Sequence, residues 1–113
     1  MTREGFDAAC RALPAVTMVV QWGDSQVYKV GGKMFALLGS DDGCSLKCSE
    51  IAYMALTEAG VGRKMPYSTG GFWIAFDTLD TLPADELQGL LAQSHALIAA
   101  KLTRKARAEL GLG

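Results

Sequence analysis

Residues 27–38 read VYKVGGKMFALL, and the fold of the whole chain turns on how this stretch is read. Two runs rich in Val, Tyr, Met and Phe flank Gly31-Gly32, and a glycine pair supplies the positive φ angles that a two-residue hairpin turn needs. A β-hairpin is therefore predicted. With that turn Val30 opposes Lys33, Lys29 opposes Met34, Tyr28 opposes Phe35 and Val27 opposes Ala36. Alternation then places Tyr28, Val30, Lys33, Phe35 and Leu37 on one face, and Val27, Lys29, Met34, Ala36 and Leu38 on the other. Neither face is purely polar, and each carries one lysine.

Upstream, Phe6, Ala9, Cys10 and Leu13 recur at helical spacing between Arg3 and Leu13, which predicts an amphipathic first helix ended by Pro14. Thr17 to Trp22 is a β-type run, and Gly23-Asp24-Ser25 turns it back into the hairpin. Downstream, Gly39 to Gly43 is turn chemistry and Cys44 to Cys48 a short returning strand, giving four successive antiparallel strands. Asp41-Asp42 lacks the spaced oxygen ligands and closing Glu of a calcium loop and reads as a solvated turn. Ser49 then caps a second helix, closed by Gly60 or Gly62, with Ile51, Ala52, Ala55, Leu56 and Ala59 as its inner face.

A second hairpin is expected from Arg63–Tyr67 and Phe72–Asp77 around Ser68-Thr69-Gly70-Gly71, with Phe72, Ile74 and Phe76 toward the core and Trp73 opposite. The last helix runs from about Pro83 to Leu102. Asp85 and Glu86 suit its positive end, and Leu87, Leu91, Ile98 and Leu102, with Leu90 and Leu97, form its buried stripe. Residues 103–113 add a further helical turn or two, and 104–113 form a basic C-terminal tail. The fold class is α+β, in the order α-β-β-β-β-α-β-β-α. An antiparallel sheet of about six strands carries three helices on one side, in a single domain over 1–113.

The chain has 113 residues, half of them hydrophobic, enough for a core without staples. Charges at Arg3, Glu4, Asp7 and Arg11 break any signal-like apolar start, and no run is long enough to span a bilayer. A cytoplasmic protein with no membrane partner is expected. Cys10, Cys44 and Cys48 cannot all pair, so reduced thiols are the default. Eleven basic against twelve acidic side chains leave −1. That sum hides an asymmetry, because Lys101, Arg104, Lys105 and Arg107 face only Glu109 in the last stretch.

No catalytic signature stands out. The lone histidine, His95, sits on the inner stripe of the last helix and reads as a packing residue, too isolated to complete a zinc set with the cysteines. Gly31-Gly32-Lys33 leads into a strand, leaving no helix N-terminus to seat a phosphate. No metal, cofactor or enzymatic activity is expected. What remains is a cationic set: Lys29, Lys33 and Lys47 on the strands, Arg63 and Lys64 opening the second hairpin, and Arg104 and Lys105 near the end. Tyr67 and Trp73 are interleaved with them. Cations neutralise phosphates and aromatic rings stack on bases, so these are candidate nucleic-acid-binding residues.

The words LPAV (13–16), KVGGKMFALL (29–38), LKCS (46–49), LPADEL (82–87) and HALIAAKL (95–102) resemble the MmcQ/YjbR family, from about Phe6 to Leu110. That resemblance implies a fold like the bacterial frataxin homologue CyaY and a double-wing DNA-binding motif, with the two hairpins as wings. An iron site of frataxin type would need an acidic ridge, whereas Glu4, Asp7 and Asp24 alternate with Arg3 and Arg11. Two functions are carried forward. One is a non-enzymatic domain that binds DNA weakly and non-specifically through backbone phosphates. The other is a protein- or small-ligand-binding module that uses the open sheet face, with Trp22, Tyr28 and Trp73 as anchors.

Overall fold

The computed structural model describes residues 1–66, 68 and 70–112. Its elements are α1 (Arg3–Arg11), β1 (Val16–Gln21), β2 (Ser25–Val30), β3 (Lys33–Leu38), β4 (Cys44–Lys47), α2 (Glu50–Glu58), β5 (Arg63–Lys64), β6 (Trp73–Phe76), α3 (Ala84–Ala99) and α4 (Arg104–Glu109). The strands form one six-stranded sheet in the order β1-β2-β3-β4-β6-β5, antiparallel at every pairing. The α+β reading therefore holds, with one helix more than expected. The basic tail is the source: α3 ends at Ala99, and the Thr103 hydroxyl accepts from the Ala106 N–H, so 104–109 starts afresh as a capped helix.

The central hairpin forms as read at its tip, where Val30 pairs with Lys33 and Lys29 with Met34. Beyond that the expected register fails. Tyr28 pairs with Ala36 and Val27 with Leu37, because the register shifts between Tyr28 and Lys29 and Phe35 is left as an extra residue on β3. The bulge changes which side chains reach the core. Phe35, Ala36 and Leu38 are all fully buried on the helix side, while Met34 and Leu37 fall on the open face.

Ser94 on α3 stabilises this irregularity. Its hydroxyl donates to the Phe35 carbonyl at 2.6 Å and accepts from the Lys47 N–H at 3.0 Å, at a fully buried position. The β3–β4 pairing stops at Ala36 and Leu46, and the serine side chain satisfies the next two backbone groups along it.

The core lies between the sheet and α1 and α3. Phe6 packs against Tyr28 with ring centroids 5.7 Å apart and tilted, and the Tyr28 hydroxyl donates to Asp7 at 2.8 Å. Tyr28 is fully buried on the helix side, so it cannot anchor anything on the open face. His95 packs edge-on against Phe35 at 5.3 Å, and its Nε2 lies 2.8 Å from the Pro14 carbonyl, as expected of a packing residue. In the second hairpin Ile74 and Phe76 are buried as chosen, while Phe72 lies before the strand and rests on Tyr53 at 5.5 Å.

The inner face of α2 also differs from its reading. Ala52, Tyr53 and Leu56 pack on the core, whereas Ile51 is 83% exposed and Ala55 and Ala59 face solvent. The helix has no fully buried residue, so apolar character alone misplaced its face.

All three cysteines are free and buried. Burial pushes the Cys10 thiol up to about 12 from 9.0, helped by the Asp7 charge, and burial does the same to Cys44. Both are therefore neutral at physiological pH and poor nucleophiles. A thiol with a raised folded-state pKa contributes stability that is fully present below pH 9.0 and is lost as the pH rises to about 12. Melting temperature is expected to fall across that window, and to fall less in a Cys10→Ala/Cys44→Ala variant. Equal slopes in the two proteins would contradict this.

Candidate nucleic-acid interface

Strand direction decides which residues meet. β1, β3 and β6 run one way along the sheet and β2, β4 and β5 the other, so the Gly31-Gly32 turn, Lys47 at the end of β4 and Trp73 at the start of β6 lie at one end. The C-terminus of α3 reaches the same end, where Leu102 sits so close to Gly31 that an added Cβ would come 2.7 Å from Leu102 Cδ1. Positive φ at Gly31 and Gly32 forms the turn itself. At the other end lie the 22–24 and 39–43 turns and Asp77.

Charge follows this axis. Lys29, Lys33, Lys47 and Lys101 collect toward the hairpin tips, with Lys64 on the edge strand beside them. Asp24, Asp41, Asp42, Asp77 and Asp80 collect at the opposite end. That acidic end is largely neutralised: Arg3 holds Asp42 at 2.8 Å, the N-terminal ammonium holds Asp80 at 3.1 Å, and Arg63 holds Asp77 at 2.9 Å. Among the described residues no lysine makes an ion pair; the remaining pair joins Arg11 to Asp7 on α1. A net charge of −1 thus conceals a cationic end whose charge is free.

Of the candidates read from the sequence, the structure brings together Lys29, Lys33, Lys47 and Trp73. Arg63 is turned back along the sheet to Asp77 and is not available in the same way. Arg104 and Lys105 are exposed on α4. Tyr67 lies outside the described residues.

Lys47 is the unexpected member. Sequence placed it as a surface lysine, yet it is only 8% exposed. Its ammonium lies 6.0 Å from the Trp73 ring centroid, and a methyl at Gly71 would collide with it. Burial, with Lys101 beside it, lowers its pKa.

The open face is not flat. Val27 is fully buried there and Ser45 and Ala75 nearly so. Trp22 rises on one side and Met65, Pro66, Ser68 and Gly70 on the other, leaving a cavity of about 680 Å³. Ser25, Met34, Leu37 and Ser45 form its floor, with Met65, Pro66 and Trp73 on the far wall. Sequence reasoning had Trp22 and Trp73 as open-face anchors but missed Met34 and Leu37 as a joint floor, because the bulge puts them on one face. Among the described residues no cluster of metal ligands is present, and no helix is long and apolar enough to cross a membrane.

An open-faced antiparallel sheet with helices on one side and two hairpin tips at a common cationic end defines the class. The YjbR family model matches residues 11–97, and the chain belongs to that family. It is also similar to a crystal structure of the Deinococcus radiodurans protein DR2400, with a domain termed DUF419, at a TM-score of 0.87 and 27% identity. The match covers 99% of this chain and 89% of that one. No curated protein matches the chain.

Proposed function

We propose that the protein is a non-enzymatic DNA-binding domain that holds backbone phosphates at the end of the sheet where both hairpins turn. The observation that carries this reading is the segregation of charge, with unpaired lysines around the tips and neutralised carboxylates at the far end. A polyanion meets an attractive field only at the cationic end, so docking is oriented even though the net charge is slightly negative. Contacts of this kind position DNA without reading its sequence.

Backbone amide spectra recorded during titration with a short duplex test the placement. Shifts are expected at Gly31, Gly32, Lys33, Lys47 and Trp73, with Gly39 to Gly43 and Asp77 unmoved. Shifts centred on the acidic end would overturn the proposal.

The cavity on the open face favours a second reading, a ligand-binding module. That module would need none of the lysines, so binding that ignores salt would favour it.

A further inference from the structure

We propose that the open-face cavity takes an unstacked base of single-stranded DNA, with Trp22 and Trp73 as its aromatic walls and Lys29 and Lys47 holding the adjoining phosphates. This rests on the phosphate-binding reading above and names the form of DNA that the site prefers.

Three independent features point to this occupant. The first is register: Lys29 pairs with Met34 and Lys47 with Trp73, and both partners line the cavity, so two cations stand on the cavity's own face at its edge. The second is the state of Lys47. It is more than nine-tenths buried, beside an aromatic ring and another lysine, and among the described residues no carboxylate pairs with it. Two neighbouring ammonium groups repel, and an incoming phosphate would relieve that repulsion. The third is Trp22, on the cavity's far rim away from the lysines, held at φ 50 with 67% of its surface exposed. A bulky side chain rarely adopts that backbone, and an outlier persisting on the rim of a cavity points to use there.

The chemistry of the occupant follows. About 680 Å³ of apolar space suits a flat ring, and the lysines at one edge demand an anion beside it. An unstacked base with its phosphates offers both a ring and an adjoining anion, whereas a duplex keeps its bases inside the stack. Among the described residues the cavity lining holds no carboxylate.

Binding of a fluorescent oligothymidylate, the matching duplex and inorganic polyphosphate is compared for the wild type, Trp22→Gly and Lys47→Gln. Trp22→Gly removes an exposed ring and relieves its backbone, so folding is retained. The wild type is expected to bind the single strand more tightly than the duplex, with quenching of tryptophan fluorescence. Trp22→Gly should weaken single-strand binding about tenfold at unchanged salt slope, in line with the loss of one stacked base. Lys47→Gln should lower the single-strand slope by about 0.7. Polyphosphate, lacking bases, should not distinguish Trp22→Gly from the wild type.

Equal affinity of Trp22→Gly and wild type for the single strand would overturn this inference. If duplex binding still fell steeply with salt, the phosphate-binding reading would survive. Absence of binding to any of the three polyanions at low salt would overturn both.

Discussion

Ser94→Ala is expected to destabilise the protein by about 2–6 kcal/mol, because one substitution orphans two buried backbone groups. The hydroxyl now satisfies the Phe35 carbonyl and the Lys47 N–H at 2.6 and 3.0 Å, and neither faces water. Each unsatisfied group costs about 1–3 kcal/mol, whereas a surface serine could be truncated with little effect. The loss is a large share of the about 5–15 kcal/mol that separates folded from unfolded states in domains generally. Urea denaturation should show a lowered midpoint at unchanged slope. A cost below about 1 kcal/mol would mean that the two groups find other partners and that Ser94 does not hold the bulge.

The bulge has a functional side. By adding Phe35 to β3 it sends Phe35 and Ala36 both to the core and turns Met34 and Leu37 together onto the open face, where they floor the cavity. It also leaves the Lys47 N–H to Ser94, fixing the strand end from which the Lys47 side chain reaches Trp73. Loss of Ser94 should therefore loosen the site as well as the fold.

Much of the fold was legible because local chemistry and tertiary structure agree. Gly31-Gly32 needs positive φ and has it, α1 ends before Pro14, and Ser49 caps α2. Register past Tyr28 was not legible. Met34 to Leu38 is an unbroken apolar run, so alternation gives no sign of which residue is the extra one, and only packing against α3 decides it. Ile51 shows the same limit, since hydrophobicity named a face that tertiary packing left in solvent.

The site was legible in composition and obscure in geometry. Lys29, Lys33, Lys47 and Trp73 could be named from residue type, but Arg63 was included although Asp77 neutralises it across the edge of the sheet. Charge segregation is readable once strand directions are known, because alternate turns fall at opposite ends. Burial of Lys47 is not, for it depends on Gly71, Trp73 and Lys101, all distant in sequence.

The second large effect concerns binding. Lys29→Ala/Lys33→Ala/Lys64→Ala removes three unpaired cations from around the tips without touching an ion pair or the core. Each lysine that neutralises one phosphate releases about 0.9 of a counterion from duplex DNA, so the triple variant should lower the salt slope by about 2.7. At low salt, where that release is most favourable, affinity should fall about a hundredfold or more.

Fluorescence anisotropy of a labelled duplex, titrated at several salt concentrations with wild type and this triple variant, measures whether the lysine end holds DNA phosphates. Wild-type binding is expected to weaken steeply with salt, and the variant to melt like the wild type but lose most of its affinity and slope. Wild-type binding that is insensitive to salt, or retained in full by the variant, would contradict phosphate binding at that end.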